Sequence, residues 1–160
     1  PVLSDWADHI STIFPEVRLK QFLEMRGSDA GPWSRLCAFS AFWTGLLYCP
    51  TAVDDAWEMV KDWTAADREA MRQAVRTLGL KTPVPGGRDL QDVAKDVLEL
   101  SRKGLKRRAN LSVAGDDETG YLTELEQIAE SGLTPAERLL ERYYGEWNRD
   151  VRPVFVEEAY

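Results

Sequence analysis

The segment EVRLKQFLEMR, residues 16–26, alternates apolar and charged side chains along most of its length. One face of this segment collects its apolar residues, interrupted by Gln21, and those residues are Val17, Leu19, Leu23 and Met25. A period of two is typical of a β-strand with one face against a hydrophobic core. The sequence therefore predicts one strand over residues 16–26, which ends at Gly27.

The rest of the chain predicts helices, several of them opened by recognisable N-terminal caps. Their expected ranges are 33–48, 52–62, 64–78, 89–109, 121–131 and 134–144. Because little else resembles a strand, the strand at 16–26 would need hydrogen-bond partners from other polypeptide. We expect an α+β chain that is mainly helical, with an active-site strand at 16–26, a helical region at 32–145 and an extended tail at 146–160.

Composition narrows the classes of protein to which the chain can belong. Its 160 residues contain 20 Lys and Arg against 27 Asp and Glu, and 44% are hydrophobic. The acidic balance argues against nucleic acid or an anionic membrane as partner. The longest apolar stretch, Leu36–Tyr48, is shorter than the ~20 residues of a membrane span. Residues 1–10 lack the pattern of a signal peptide, so we expect a cytoplasmic protein.

The charged face of the segment suggests chemistry on a polyanion. In a continuous strand Glu24 and Arg26 are neighbours about 6.6 Å apart, whereas Arg18 lies about 20 Å from Glu24. A carboxylate can hold Mg²⁺ between phosphate oxygens, and an adjacent guanidinium can bind a phosphoryl oxygen. One carboxylate is too few for a metal site, so further ligands would come from elsewhere. The alternative is a surface sheet with cross-strand salt bridges.

Three stretches carry a resemblance to a known family: Phe14–Lys20 (FPEVRLK), Phe22–Gly27 (FLEMRG) and Asp29–Trp33 (DAGPW). The same order of motifs continues with AFW at 41–43, GLLY at 45–48, DWT at 62–64, GLKRR at 104–108, LTPAE at 133–137, GEW at 145–147 and PVF at 153–155. Over essentially all its residues the chain resembles about the last third of plant-type glutamate–cysteine ligases. Gln21, Phe22 and Ser28 depart from the family pattern, which has Arg, Tyr and Ala there.

This resemblance implies an enzyme of glutathione biosynthesis. Such ligases use ATP to convert the γ-carboxylate of L-glutamate to γ-glutamyl phosphate, which the amine of L-cysteine then attacks. It also implies a glutamine synthetase-like fold, in which residues 1–160 form the C-terminal part of a single catalytic domain. The isolated chain is then expected to be inactive without the N-terminal part of the ligase. The alternative is a non-catalytic helical interaction or regulatory module derived from that fold.

The resemblance also assigns roles to the charged residues of the segment. Glu24-Met25-Arg26 matches a Glu-x-Arg pair of the superfamily, which makes Glu24 a Mg²⁺ ligand and Arg26 the group that stabilises the γ-phosphoryl group of ATP. Arg18 is expected to be a second clamp on phosphate or carboxylate. Lys20 is expected to contact substrate, and its alternative role is that of a solvated lysine at the sheet edge.

Two residues after the segment complete the predicted site. Asp29 is expected near the substrate, where it could orient Arg26 through a bidentate ion pair, and its alternative role is that of a turn residue with local hydrogen bonds. Trp33 is expected to wall the substrate pocket, and its alternative role is that of a core residue at the start of a buried helix.

A basic cluster near the end of the fourth predicted helix, 89–109, resembles a nucleic-acid patch and comprises Arg102, Lys103, Lys106, Arg107 and Arg108. Positive side chains at a helix C-terminus also complement the helix dipole. The net charge of −7 favours this second interpretation.

Overall fold

The computed structural model describes residues 1–29 and 31–159, so Ala30 of the DAGPW motif and Tyr160 of the tail lie outside the described residues. Contacts divide the chain into two compact units, one before Gly31 and one from Gly31 onward. Helices predominate, and two short two-stranded sheets accompany them. The prediction of a mainly helical α+β chain is confirmed.

The first unit contains helix α1 (Leu3–Ser11) and an antiparallel hairpin of β1 (Val17–Leu19) and β2 (Leu23–Met25). The prediction of one continuous strand over 16–26 is therefore wrong, and so is the prediction that this segment lacks a partner of its own. The backbone N–H of Lys20 donates to the carbonyl of Phe22 at 2.9 Å, which closes the turn. The alternation is symmetric about Gln21, so folding the segment at that point keeps Val17, Leu19, Leu23 and Met25 on one face.

The apolar face of the hairpin is largely uncovered. Leu19 is 79% exposed, and Val17 and Leu23 are each about half exposed. A strand face of this composition ordinarily packs against a core. The described residues do not supply that core, contrary to the expectation from sequence, and the hairpin presents an apolar surface together with its charged one.

The described residues of the second unit, 31–159, form seven α-helices. These are α2 (Trp33–Leu47), α3 (Pro50–Val60), α4 (Ala65–Leu78), α5 (Leu90–Arg108), α6 (Thr123–Ser131), α7 (Pro135–Tyr144) and α8 (Val154–Glu157). Short strands β3 (Pro83–Val84) and β4 (Arg88–Asp89) pair between α4 and α5, and 3-10 turns occupy Gly79–Lys81 and Glu118–Leu122. No single helix among the described residues is long and apolar enough to cross a membrane, although α2 and α3, bent by 90°, have that composition together.

Local cap chemistry sets most of these boundaries as predicted. Thr64 and Thr134 each accept from the backbone N–H three residues on and form capping boxes, and Asp89 caps α5 through the N–H of Asp92. Two assignments were wrong. The tail folds into α8 instead of being extended, and α3 begins at Pro50, with Cys49 as its N-cap.

The core of this unit depends on a close crossing of α2 and α5. Gly45 and Gly104 face each other there, and a Cβ added to either would collide with backbone of the opposite helix. Ser101, fully buried on α5, donates its hydroxyl to the carbonyl of Phe42 at 2.9 Å. Around this crossing lies the apolar cluster of Ala41, Leu98, Leu105, Leu122 and Ala129.

The substitution Gly104→Ala should therefore destabilise the fold. Its methyl group would meet the backbone carbonyl of Gly45, which cannot move aside as a flexible side chain can. We expect a loss of about 1–3 kcal/mol in the free energy of unfolding, despite the better helix propensity of alanine. Urea unfolding followed by circular dichroism measures this loss. Gly120→Ala is the control, because nothing lies within 4 Å of its added Cβ. Equal stability of the two variants would contradict the account.

Candidate functional site

The charged face of the hairpin is organised by a cross-strand ion pair. Arg18 stands directly opposite Glu24 in the antiparallel register, and Nε of Arg18 donates to Oε2 of Glu24 at 2.6 Å. Both side chains are about one-third exposed. The predicted separation of about 20 Å was calculated for a continuous strand and is wrong. The structure thus contains one cross-strand salt bridge of the kind that the alternative describes, and the roles of the two residues stay predictions.

Glu24 is surrounded by positive charge. The hydrogen bond from Arg18 is the main cause that lowers the pKa of the Glu24 carboxyl below 4.5, and the nearby charges of Arg18, Lys20 and Arg26 lower that pKa further. These four residues carry three positive charges and one negative charge, so the cluster keeps an excess of positive charge. Such a surface attracts an anion, and fixed guanidinium groups are well suited to phosphate or carboxylate.

Arg26 differs from the other cations of this cluster in having a buried side-chain donor that finds no partner among the described residues. Its guanidinium carbon lies 5.0 Å from the centre of the Phe14 ring, a cation–π contact that fixes the side chain. Its Nη1 is buried and finds no hydrogen-bond partner among the described residues. Buried donors are nearly always paired in folded proteins, so this nitrogen is a candidate for binding a ligand. The role of Phe14 was missed, because its proximity to Arg26 depends on the hairpin turn.

The other predicted residues of the first unit are less constrained. Lys20 lies in the hairpin turn with an exposed side chain, and Asp29 is also exposed. Within the described part of the chain, Asp29 forms no ion pair with Arg26, so the predicted bidentate contact between them is not present.

The described residues do not assemble a magnesium site by themselves. No group of three or more His, Cys, Asp and Glu side chains converges in residues 1–29 and 31–159. Mg²⁺ requires octahedral oxygen coordination, and near the hairpin Glu24 is one suitable carboxylate. Its Oε2 is occupied by Arg18, whereas Oε1 has no hydrogen-bond donor in the described chain. Glu24 therefore fits one position of such a site, and any other protein ligands would lie outside these residues.

Trp33 opens helix α2 and is 77% exposed, so its alternative role as a core residue is wrong. It borders a groove of about 320 Å³ that also includes Leu36, Cys37, Ser40, Ala41, Thr44, Glu118 and Tyr121. Sequence analysis missed Glu118 and Tyr121, because they come from a distant part of the chain with no local signal for this contact. The groove leaves Trp33 available to contact a ligand.

The basic cluster on α5 is mostly neutralised by acidic neighbours. Arg102 forms a bidentate ion pair with Glu126 of α6, with both contacts at 2.6 Å, and Lys103 and Arg108 pair with Glu99 and Glu118. These pairs support a structural role for the cluster at the end of the helix and argue against a patch for nucleic acid.

Comparison with known proteins identifies the family. The family model described as glutamate-cysteine ligase family 2 matches residues 2–157. The chain is 52% identical over 160 residues to the chloroplastic glutamate–cysteine ligase of Nicotiana tabacum, and 50% identical over the same length to that of Arabidopsis thaliana. Each comparison covers all of this chain and 29% of the relative, in its C-terminal part. Ligase A of Oryza sativa subsp. indica is likewise 50% identical, with 31% of its length covered.

The hairpin with its charged face thus lies in a chain of a ligase family. The chain is a member of glutamate-cysteine ligase family 2, as its motifs predicted, and it spans less than a third of the length of the relatives above.

The ion pair between Arg18 and Glu24 gives a prediction for pH dependence. Because the folded state lowers the pKa of Glu24 below 4.5, the pair stabilises the hairpin above that pH. The stabilisation is lost as the pH falls through the lower pKa of the folded state. In a carbon-detected NMR titration, Arg18→Gln should return the pKa of Glu24 toward 4.5. Lys20→Gln should raise it less, since Lys20 makes no hydrogen bond to this carboxylate. Equal shifts in the two variants would contradict this ranking.

Proposed function

We propose that the chain is the C-terminal part of a catalytic domain that ligates L-glutamate to L-cysteine at the expense of ATP. In the first step an oxygen of the glutamate γ-carboxylate attacks the γ-phosphorus of ATP, giving γ-glutamyl phosphate and ADP. In the second step the cysteine amine attacks the γ-carbonyl carbon, loses a proton and expels inorganic phosphate. The product, γ-glutamylcysteine, places the reaction in glutathione biosynthesis.

The observation that carries this proposal is the environment of Arg26. Nη1 of Arg26, a buried guanidinium nitrogen with no partner in residues 1–29 and 31–159, lies near two further cations, Arg18 and Lys20. During transfer of a phosphoryl group, negative charge is spread over its equatorial oxygens, and a fixed guanidinium stabilises that charge without rearranging. Phe14 holds Arg26 in place before ATP arrives, so little ordering is required when the nucleotide binds.

Glu24 and Arg18 then act as a unit. Arg18 keeps Glu24 ionised and fixes its orientation through Oε2, which leaves Oε1 to serve as a Mg²⁺ ligand. When bound, Mg²⁺ would neutralise charge on the phosphates of ATP. The free donors of Arg18 are proposed to bind phosphate or the substrate carboxylate. Lys20, Asp29 and Trp33 are proposed as substrate-binding residues, Lys20 and Trp33 by virtue of their exposed side chains.

The partner of this chain is proposed to be the N-terminal part of the ligase, within one glutamine synthetase-like fold. The chain covers 29% of the tobacco relative, so most of such an enzyme lies outside it. The exposed apolar face of the hairpin, formed by Val17, Leu19 and Leu23, is the kind of surface that a sheet or core from that part would cover. The cytoplasmic location stays a prediction, and the relatives above are named as chloroplastic.

A test of function needs the chain joined to the proposed N-terminal part, because the 160 residues span 29% of the tobacco relative. With ATP, Mg²⁺, glutamate and cysteine present, we expect ADP formation by the joined enzyme and none by the isolated chain. Arg26→Ala should lower kcat by about 10²–10³-fold, as loss of one charge-stabilising donor typically does. Glu24→Ala should also impair turnover and raise the Mg²⁺ concentration needed for it.

The control is Arg152→Ala, which removes an arginine whose side chain is 85% exposed and should leave kcat unchanged. A non-catalytic interaction or regulatory module is the alternative function. If both hairpin variants retained full turnover, that alternative would replace the proposed catalytic role.

A further inference from the structure

A cationic cavity lies beside helix α7, within the unit that starts at Gly31. It measures about 270 Å³, and its lining includes the guanidinium groups of Arg35, Arg138 and Arg142 together with the carboxylates of Glu124 and Glu158. Within the lining three positive charges face two negative ones, and Glu146 and Glu157 beside the cavity also pair with Arg142. The cavity is comparable with the smaller binding sites for small molecules.

One wall of this cavity is fixed and one cation is unpaired. Nε and Nη2 of Arg35 both donate to Oε1 of Glu124, at 3.0 and 2.9 Å, which joins α2 to α6. Arg138 has no ion-pair partner in the part of the chain that the structure describes, and its Nη2 donates to the hydroxyl of Ser131 at 3.3 Å. The charge of Arg138 is thus available to an incoming anion.

The remaining carboxylate comes from the tail. Nη1 of Arg142 donates to Oε1 of Glu158 at 2.8 Å, and Arg142 also pairs with Glu157 and, through Nε at 3.4 Å, with Glu146. Displacing Glu158 therefore frees Nη1 of Arg142 for a ligand. The apolar side chains of this tail segment contribute little packing, since Phe155 is 75% exposed and Val156 is 80% exposed. Partly exposed ion pairs are weak in water, so the Glu158 carboxylate can be displaced from the cavity.

We propose that this cavity binds a small dicarboxylate and that Glu158 is its intramolecular competitor. The guanidinium fork binds carboxylates with matched geometry, and the chain already places a carboxylate of its own on Arg142. With Glu158 displaced, one carboxylate of a ligand would bind Arg142 and the other would bind Arg138. This proposal is independent of the proposed ligase activity.

The test is isothermal titration of glutarate into the full chain at constant ionic strength. Glu158→Gln removes the competing charge, and we expect it to tighten glutarate binding about tenfold. Adding Arg138→Gln to that variant should weaken binding at least as much. Glu141→Gln is the matched control, because it removes one negative charge from the same region but its side chain forms no ion pair in the described chain. Acetate should bind much more weakly than glutarate.

Hydrogen exchange provides a second readout. Glutarate should speed amide exchange over residues 154–158 of the unmodified chain, because binding releases the tail. The proposal is overturned if glutarate binds none of the proteins, or if Glu158→Gln and Glu141→Gln change its affinity equally. Equal affinities for acetate and glutarate would also overturn it, as would tail exchange that does not respond to glutarate.

Discussion

Glu24 is a carboxylate that lies close to three cations, Arg18, Lys20 and Arg26, in a short hairpin. The hydrogen bond that Arg18 donates to Glu24 joins the two strands at a directly opposed pair of the antiparallel register. Arg26 comes two residues after Glu24 in the chain. The positive charge that remains on the charged face of the hairpin, together with the Arg26 nitrogen that is unpaired in the described part of the chain, is suited to bind an anion. The proposed chemistry of the ligase depends on this arrangement, because a phosphoryl group needs fixed positive charge more than it needs a proton donor or a nucleophile.

The second unit owes its stability to a different constraint. Two glycines allow α2 and α5 to approach closely, and the hydroxyl of Ser101 bonds the two helices through the carbonyl of Phe42. Peripheral helices are then joined to this pair by bidentate ion pairs, such as Arg102 with Glu126. Rigid helices in this unit also form the groove at Trp33 and the arginine-lined cavity near the tail.

Much of the fold was predictable from local patterns. The capping residues Thr64, Asp89 and Thr134 act within three residues of themselves, so the helices they open could be placed from sequence. The turn at Gln21 could not be predicted from sequence, because the alternation of EVRLKQFLEMR is the same whether the segment stays extended or folds back. The sequence identified the charged residues of the candidate site, but the contact between Arg18 and Glu24 depended on that turn. Tertiary contacts such as Phe14 with Arg26 had no local signal.

The central claim is that Arg26 stabilises transfer of the γ-phosphoryl group to glutamate. Positional isotope exchange isolates this step: ATP labelled with ¹⁸O in the β,γ-bridge is incubated with the complete ligase, Mg²⁺ and glutamate, without cysteine. Reversible formation of γ-glutamyl phosphate scrambles the label, and ³¹P NMR detects the change. The account predicts scrambling by the unmodified enzyme and its loss in Arg26→Lys, where the charge is kept and the guanidinium fork is not. Scrambling at an unchanged rate in that variant would contradict it.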